Sequence, residues 1–450
     1  MVCITRFTLM RIKLFIFFYC CVLQYSSAQQ SISSPFTHYG IGDLTSSNHF
    51  VFGALGNASV SFIDSTNLNF FNPSSYSSLG KGQPIFSLGM SSLNYSLLEN
   101  QLKTNRSLVS IDHFAFGISF FNNFGICAGI KPFSTTGYEV SSINILNSDT
   151  LRSSFLGNGI VSEAFLGVSY RKMLHNHSLS FGLNTAYIFG NRNTIETKTF
   201  NSPVIGSISK KTFLFKDYEL KFGFSYSSPA SRDHRFTIAS VLEPEIKLSS
   251  SVFSFKAVSI DVNNVAYYNY LTDTSFSRVF SLPTRGSFGF KYEYIPYSNV
   301  NMSSNKKMQF IITGECKFSD WNKVKSNDNF PEFNSTTSYH LGIQYSPHYD
   351  FLDRSKSIKL VSRLRYRIGG FTGSDPWMYN GSKVVSSGFT FGLGLPIIVQ
   401  RSLSSLNIAF GLINRSTLDL SLKETLLQCS VGVSISPAVY ERWFKQTKID

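Results

Sequence analysis

The stretch LSFGLNTAYIF, residues 179–189, decides the fold of this chain. Apolar side chains occupy every second position, as at Leu179, Phe181 and Leu183, and small or polar residues such as Gly182 lie between them. A side-chain period of two is that of a β-strand with one apolar face. The stretch is also long enough to cross a bilayer, since about 9 to 11 tilted residues suffice for a transmembrane strand.

The same alternation recurs along the chain, with one apolar or aromatic face and one small or polar face. It is clearest in residues 220–226, 288–294, 389–395, 406–412 and 427–435. A soluble β-sandwich produces the same pattern. Long strands, glycines on the non-apolar face and Ser- and Asn-rich linkers of unequal length favour a membrane barrel instead. The linkers range from a tight turn at 175–177 to long loops at 271–282 and 322–337.

The composition agrees with an all-β transmembrane barrel of antiparallel strands. Hydrophobic residues make up 42% of the chain and mean hydropathy is −0.00, because lipid-facing and lumen-facing residues average out in a barrel. The 43 Phe and 22 Tyr suit aromatic girdles at the membrane interfaces. We predict about 14 strands, with an error of two, a number within the range of such barrels.

The N-terminus has the features of a secretory signal peptide over residues 1–28. Arg6, Arg11 and Lys13 precede the apolar stretch 14–23, and small residues end at Ala28. The chain carries a formal charge of +14, and its basic residues are scattered rather than clustered. This distribution favours outer-membrane lipid and lipopolysaccharide as partners over nucleic acid. We therefore expect a bacterial outer-membrane location.

Residues 53–80 differ from the strands that follow. They are rich in small residues, contain one acidic residue, Asp64, and include the turn sequence Asn72-Pro73. We predict a small N-terminal hatch, or plug, that fills the lumen of the barrel. The expected organisation is a signal peptide at 1–28, an N-terminal segment and hatch at 29–82, the barrel at 83–436 and a C-terminal tail at 437–450.

Several short motifs resemble those of the outer-membrane long-chain fatty-acid transporter (FadL-like) family, particularly its divergent branch in Bacteroidota. Phe71-Asn72-Pro73-Ser74 resembles the Asn-Pro-Ala element that closes the hatch in that family, with Ser74 replacing Ala. Leu55-Gly56-Asn57-Ala58 and Asp64 match its small-residue stretch and acidic residue. The resemblance implies a 14-stranded barrel with an N-terminal hatch. It leaves the substrate open, because relatives on this fold include both importers and accessory barrels.

The aromatic residues beside the Asn-Pro turn are candidates for a ligand path. Phe70, Phe71, Asn72, Pro73 and Tyr76 would line an apolar route for a hydrophobic ligand. The same side chains would equally serve to anchor a plug to the barrel wall. Both interpretations stand at this point.

A column of basic residues is the second candidate. Alternation over 358–368 places lumen-facing charges at Lys359, Arg363, Arg365 and Arg367. Guanidinium groups bind carboxylate or sulfonate groups through paired donors, which suits an anionic ligand. The alternative is a charge network within the wall, as polar barrel interiors commonly contain. Its acidic partners, by strand parity, would be Glu219, Glu293 and Glu315.

The sequence contains no nucleophile elbow, phosphate loop, dinucleotide fingerprint or zinc spacing. We therefore expect no enzyme activity, no cofactor and no metal. The leading function is passive uptake of hydrophobic small molecules such as long-chain fatty acids. The alternative is a non-transporting accessory or structural barrel with a protein partner in an outer-membrane secretion or assembly complex.

Overall fold

The structure is a computed structural model. It describes residues 34–38, 40–44, 49–99, 102–120, 123–146, 149–200, 206–229, 233–259, 268–296, 308–324, 333–348, 359–379, 381–397 and 404–437. The predicted signal peptide and nearly all of the predicted C-terminal tail lie outside these residues. The predicted domain bounds therefore stay predictions.

Seventeen strand segments occur within the described residues. They are β1 (Asp43–Leu44), β2 (Ile85–Glu99), β3 (Leu102–Phe120), β4 (Phe124–Leu146), β5 (Asp149–Leu174), β6 (His177–Phe200), β7 (Gly206–Ser227), β8 (His234–Glu243), β9 (Ile246–Ser259), β10 (Tyr268–Leu282), β11 (Arg285–Tyr294), β12 (Gln309–Ser319), β13 (Thr336–Ser346), β14 (Arg365–Tyr379), β15 (Ser382–Pro396), β16 (Ser405–Thr417) and β17 (Leu422–Ile435).

Sixteen of these segments, β2 to β17, form a closed barrel of 14 antiparallel strands. The last strand, β17, pairs with β2 and closes the wall. The segments β8 and β9 together make one wall strand, because β7 pairs with both of them. Likewise β10 and β11 make one strand, and each break contains a proline, Pro244 or Pro283, which lacks the N–H that a ladder requires. The prediction of a transmembrane barrel of about 14 strands is confirmed.

The alternation read from the sequence separates the two faces of the wall. On β6, Phe181 is 53% exposed, whereas Asn184 on the inner face is 5% exposed. The apolar outer faces form a belt, as a lipid-facing surface requires. The belt includes Phe181, Leu183, Leu220, Phe222, Phe236, Ile238, Phe288, Phe290, Tyr339, Leu341, Phe389, Phe391, Phe410 and Leu412. The protein is accordingly an outer-membrane barrel. No helix within the described residues has the length and apolar character needed to cross a membrane.

The wall is taller on one side. The segments β8 and β11 have ten residues each, about the length that crosses the bilayer, whereas β4, β5, β6 and β7 have 22 to 26. The hairpin of β9 and β10 continues beyond β8 and β11 beside these long strands. The long loop predicted at 271–282 is therefore wrong, because these residues belong to β10. We call the end of the barrel with these extensions the open end.

Residues 49–83, here called the inner segment, lie inside the barrel. Their aromatic and aliphatic side chains, among them Phe50, Phe52, Leu55 and Phe62, form a buried cluster. The backbone of Pro73 contacts the wall directly at Gly182, where a Cβ atom would overlap it. Small wall residues thus let the inner segment approach the strands closely. That this segment acts as a hatch stays a prediction.

Candidate functional site

The barrel wall has a gap between β3 and β4. These strands pair only from Phe114 to Phe120 with Phe124 to Ile130, next to their shared turn. Beyond that point, β3 continues to pair with β2, and β4 continues to pair with β5. Beyond Phe114 and Ile130, β3 and β4 therefore have no backbone pairing with each other within the described residues, although both strands continue toward the open end.

The sequence Lys131-Pro132-Phe133 explains where the gap begins. Pro132 has no N–H to donate to a neighbouring strand, and the register of β4 against β5 shifts between Pro132 and Ser134. Phe133 is buried in a cluster with Ile41 from the N-terminal residues. A bulge with a buried aromatic side chain therefore directs β4 away from β3.

The freed edge of β4 is partly occupied by the N-terminal residues of the same chain. Asp43 pairs with Thr135 and Leu44 pairs with Ser134, as an added antiparallel strand. Further toward the open end, the Ser34 N–H donates to the Gly137 carbonyl at 2.8 Å. These contacts satisfy backbone groups of β4 that a complete wall would pair with β3.

The rim of the gap is apolar near the belt and charged farther out. Phe114 and Ile130, at the last paired position, are 51% and 42% exposed, so the gap opens from the lipid-facing belt. Toward the open end, Arg106 Nη2 lies 3.1 Å from Glu139 Oε2 and connects the two strands through side chains. The gap is thus bridged by this pair of side chains toward the open end.

A cavity of about 1790 Å³ lies behind the gap. Its lining includes Ile111 and Ile130 at the gap, Ser59 and Phe71 of the inner segment, and Trp377 toward the open end. The inner segment therefore forms the floor of the cavity. The gap joins the cavity to the lipid-facing surface.

The deep wall of the cavity carries a network of paired charges. Lys131 Nζ lies 2.7 Å from Glu163 Oε1, and Lys221 Nζ lies 2.7 Å from Glu243 Oε1. Arg285 contacts both Glu243, at 2.8 Å, and Glu219. Three cations thus meet three carboxylates, and this network carries no excess charge for an ionic ligand.

The predicted ligand-path residues lie inside the barrel, and most of them are fully enclosed. Phe70 and Tyr76 are 2% and 0% exposed, and the Tyr76 hydroxyl donates to Asn184 Oδ1 at 3.0 Å. Phe71 is half-buried and lines the cavity, with Lys131 Nζ 5.9 Å from its ring centroid. In this structure, Phe71 is the member of the set that a ligand in the cavity would touch.

Asn72 holds the turn that its sequence predicts. Its Oδ1 accepts a hydrogen bond from the Ser74 N–H at 3.0 Å, an N-cap of the short 3₁₀ turn Pro73–Ser78. Its Nδ2 donates to the Val60 carbonyl at 2.7 Å. Ser74 stands where the FadL-like family has Ala. Its hydroxyl donates a hydrogen bond to Ser225 Oγ on the wall at 3.0 Å. Asn72 and Ser74 thus tie the turn to the inner segment and to β7.

Two of the predicted basic residues contact the inner segment or the wall beside it. Arg365 Nη1 lies 3.6 Å from Asp64 Oδ2. Arg367 donates to Gln344 Oε1 at 2.7 Å and to Asn407 Oδ1 at 2.8 Å. Burial alone would raise the pKa of the Asp64 carboxyl, but Arg365 and two side-chain hydrogen bonds outweigh burial and hold this pKa below its ordinary value.

The strand predicted over 358–368 begins later than the alternation suggested. Leu360–Arg363 form one helical turn, and β14 starts at Arg365. Lys359, predicted to face the lumen, is exposed, whereas Arg363 is buried but lies before the strand. The placement of Lys359 and Arg363 on a lumen-facing strand is therefore wrong. Basic residues at every second position imitate strand alternation even where the backbone is helical.

Of the predicted acidic residues, Glu293 lies on β11, Glu315 on β12 and Glu219 on β7, and all three are buried. Glu315 Oε2 accepts hydrogen bonds from the backbone N–H groups of Ser59, at 2.5 Å, and Val60, at 2.9 Å. Glu293 Oε1 accepts from Gln309 Nε2 at 2.5 Å. Glu315 thus anchors the inner segment to β12, in addition to the contact of Arg365 with Asp64. No group of three His, Cys, Asp or Glu side chains in the described residues is arranged to hold a metal ion.

Sequence reasoning missed the gap and its bridging residues. Pro132 within an alternating stretch was a usable signal, because proline inside a sheet marks an edge or a bulge. Arg106 and Glu139 gave no comparable signal, since they are 33 residues apart on strands that were expected to pair.

Comparisons with known proteins agree with the fold. A family model described as BamG matches residues 10–450. A TodX deltaS2S3 mutant monoaromatic hydrocarbon channel is similar in structure at 13% identity, with a TM-score of 0.56, covering 86% of this chain and 97% of that chain. The CymD monoaromatic hydrocarbon channel is similar at 12% identity, with a TM-score of 0.51, covering 90% and 99%.

The Pseudomonas putida toluene transporter TodX is also similar, at 11% identity and a TM-score of 0.50, covering 88% of this chain and 98% of that chain. At these identities the likeness demonstrates a common fold. No curated protein matches this chain.

Proposed function

The chain belongs to the BamG family, and for this member we propose passive uptake of small hydrophobic molecules through the gap in its wall. A molecule enters the cavity from the open end, which we assign to the cell exterior because long extensions are extracellular in such barrels. It then leaves sideways between β3 and β4 into the lipid.

The gap is the observation that supports this proposal. It begins at Phe114 and Ile130, whose side chains are exposed on the lipid-facing surface, and it adjoins a cavity large enough for a small molecule. An apolar molecule that moves sideways stays out of water and needs no opening of the floor. An apolar opening in the wall does not help ions to cross the barrel, so an ion-selective pore would not account for it.

The firmly attached floor supports a lateral route over a vertical one. Passage to the far end requires release of the inner segment, which Glu315 and Asn72 hold through hydrogen bonds to backbone groups. Hydrogen bonds to charged groups contribute roughly 1.5–3 kcal/mol each. The lateral route leaves these contacts intact.

Uptake into reconstituted vesicles tests the proposal. The purified barrel in lipid vesicles is expected to increase entry of labelled oleate or toluene over protein-free vesicles. Heat-modifiable migration on a gel serves as the folding control. Equal entry with and without a folded barrel, for both compounds, would contradict uptake.

The open end favours a second candidate function, that of an accessory barrel. The β9–β10 hairpin, which lies beyond the membrane-spanning β8 and β11, carries large apolar side chains that are about half exposed. They are Phe253, Tyr270, Leu271, Phe276 and Val279. Clustered exposed apolar side chains outside the belt are typical of protein-binding surfaces. The partner would be an extracellular component of a secretion or assembly complex.

Purification from native membranes in mild detergent tests this candidate. A stoichiometric partner that is lost when Tyr270→Ser and Val279→Thr are combined would support the accessory role. Isolation of the barrel alone, with unchanged composition in the double variant, would contradict it.

A further inference from the structure

A β-bulge on β3 lies at the level where the gap begins. Opposite it on β2, Gly89 pairs with His113 and Met90 pairs with Ile111, so Asp112 is the extra residue. Successive residues of a regular strand face opposite sides. Here both Asp112 and His113 are buried, at 9% and 1% exposure, which shows that the bulge turns the Asp112 side chain inward.

The Asp112 carboxylate is only half satisfied. Its Oδ1 accepts a hydrogen bond from Ser91 Oγ at 2.5 Å. Its Oδ2 is buried and has no hydrogen-bond partner among the described residues. A buried polar atom without a hydrogen-bond partner destabilises the folded state. The chain therefore maintains an unused acceptor at this position.

The surroundings of this acceptor are those of an apolar entrance. Asp112 lines the cavity together with Met90, Ile111, Phe114 and Ile130, whose side chains are 42% to 60% exposed toward the lipid side. The basic residues of the deep wall are already in ion pairs with Glu163, Glu219 and Glu243. A molecule in the gap thus meets mainly apolar side chains, with the Asp112 carboxyl group beside them in the cavity lining.

We propose that Asp112 selects, among apolar molecules, those that carry a hydrogen-bond donor, namely a hydroxyl or ammonium group. This inference rests on the proposed lateral uptake and specifies its substrate class. The donor group binds Asp112 Oδ2 while the apolar body contacts the rim of the gap.

The test uses the full barrel in vesicles and diazirine-bearing analogues of dodecanol, dodecylamine and dodecane. Two quantities are measured for each probe, photolabelling of the barrel and uptake. The wild type is expected to be labelled more by the alcohol or the amine than by the alkane, in peptides of β3 and β4. Comparison of labelling by the alcohol with labelling by the amine shows whether Asp112 prefers a hydroxyl or an ammonium donor.

Asp112→Leu removes the acceptor. It is expected to lower labelling by the favoured donor probe roughly tenfold, the effect of losing one hydrogen bond to a charged group, with alkane labelling unchanged. Asp273→Leu, which removes an exposed carboxylate on β10, serves as the matched control. If Asp112→Leu does not fold, Asp112→Asn replaces it, with a smaller loss expected.

The outcomes separate the two proposals. Equal labelling by alcohol, amine and alkane, unchanged in the Asp112 variant, would overturn the role of Asp112 while alkane uptake still supported the barrel as a transporter. Asp112-dependent labelling without uptake of any probe would support the binding site and overturn transport. Absence of both labelling and uptake would overturn both.

Discussion

Arg106 Nη2 lies 3.1 Å from Glu139 Oε2 and joins β3 to β4 where these neighbouring strands have no backbone pairing. The two side chains are 32% and 54% exposed. Exposed ion pairs contribute only about 0–1 kcal/mol. This part of the wall is therefore held by a weak contact, whereas β5 and β6, for comparison, pair without interruption from Leu151 to Leu174.

Gly182 is one of the wall positions where the inner segment requires a small residue. Gly182→Ala would place a Cβ atom into the backbone at Pro73 and Ser74, so we expect the turn to move from the wall. Faster hydrogen exchange of the amides at 74–79 is the readout. Gly411→Ala is the control, because its Cβ atom would lie 3.5 Å or more from its neighbours. Equal exchange in both variants would show that close packing at Gly182 is dispensable.

Asn72→Ala is expected to loosen the same turn for a different reason. It removes the cap on the Ser74 N–H, worth about 1 kcal/mol, and leaves the buried Val60 carbonyl without its donor, at about 1–3 kcal/mol. The temperature of heat-modifiable migration should fall relative to the wild type. Asn105→Ala, at an exposed position of β3, should leave this temperature unchanged. A similar temperature for both variants would argue against Asn72 as an anchor.

Arg365→Gln should destabilise the barrel in a pH-dependent way. Because the pKa of Asp64 is held below its ordinary value of about 4, the ion pair with Arg365 stabilises the fold at neutral pH. That stabilisation is lost as the pH falls through the folded-state pKa of Asp64. At pH 7 we expect the unfolding temperature to drop by about 1 °C, the shift that about 1 kcal/mol produces in a chain of this length.

The difference between wild type and Arg365→Gln should shrink as the pH is lowered below about 4. Arg152→Gln, at an exposed position of β5, controls for the loss of a positive charge. A difference that stays constant over the pH range would mean that Arg365 acts independently of Asp64.

The barrel was predictable from the sequence because the bilayer imposes a strict rule on side chains. Stretches such as 179–189 must be apolar on one face to contact lipid, and this requirement leaves a period of two in the sequence. The small and polar side chains that alternate with the apolar ones must then face the lumen, so their direction was predictable from the same rule. Strand number followed from counting these stretches.

The features outside the bilayer and within the wall were less predictable. Residues 271–282 looked like a loop because β10 lies beyond the membrane, where no lipid enforces alternation. The unused oxygen of Asp112 depends on a bulge between β2 and β3, which is set by pairing rather than by local sequence. The gap likewise results from tertiary contacts of Phe133 with distant residues.

The most direct test of lateral uptake is to close the gap covalently. In a chain with Cys316→Ser and Cys429→Ser, Arg106→Cys and Glu139→Cys are joined by a cleavable bis-maleimide. The pair Val140→Cys and Phe155→Cys, which lies across the intact ladder of β4 and β5, is the control. We predict that the link across the gap abolishes uptake of labelled toluene into vesicles, that cleavage restores it, and that the control link has no effect. Full uptake with the gap closed would contradict the lateral route.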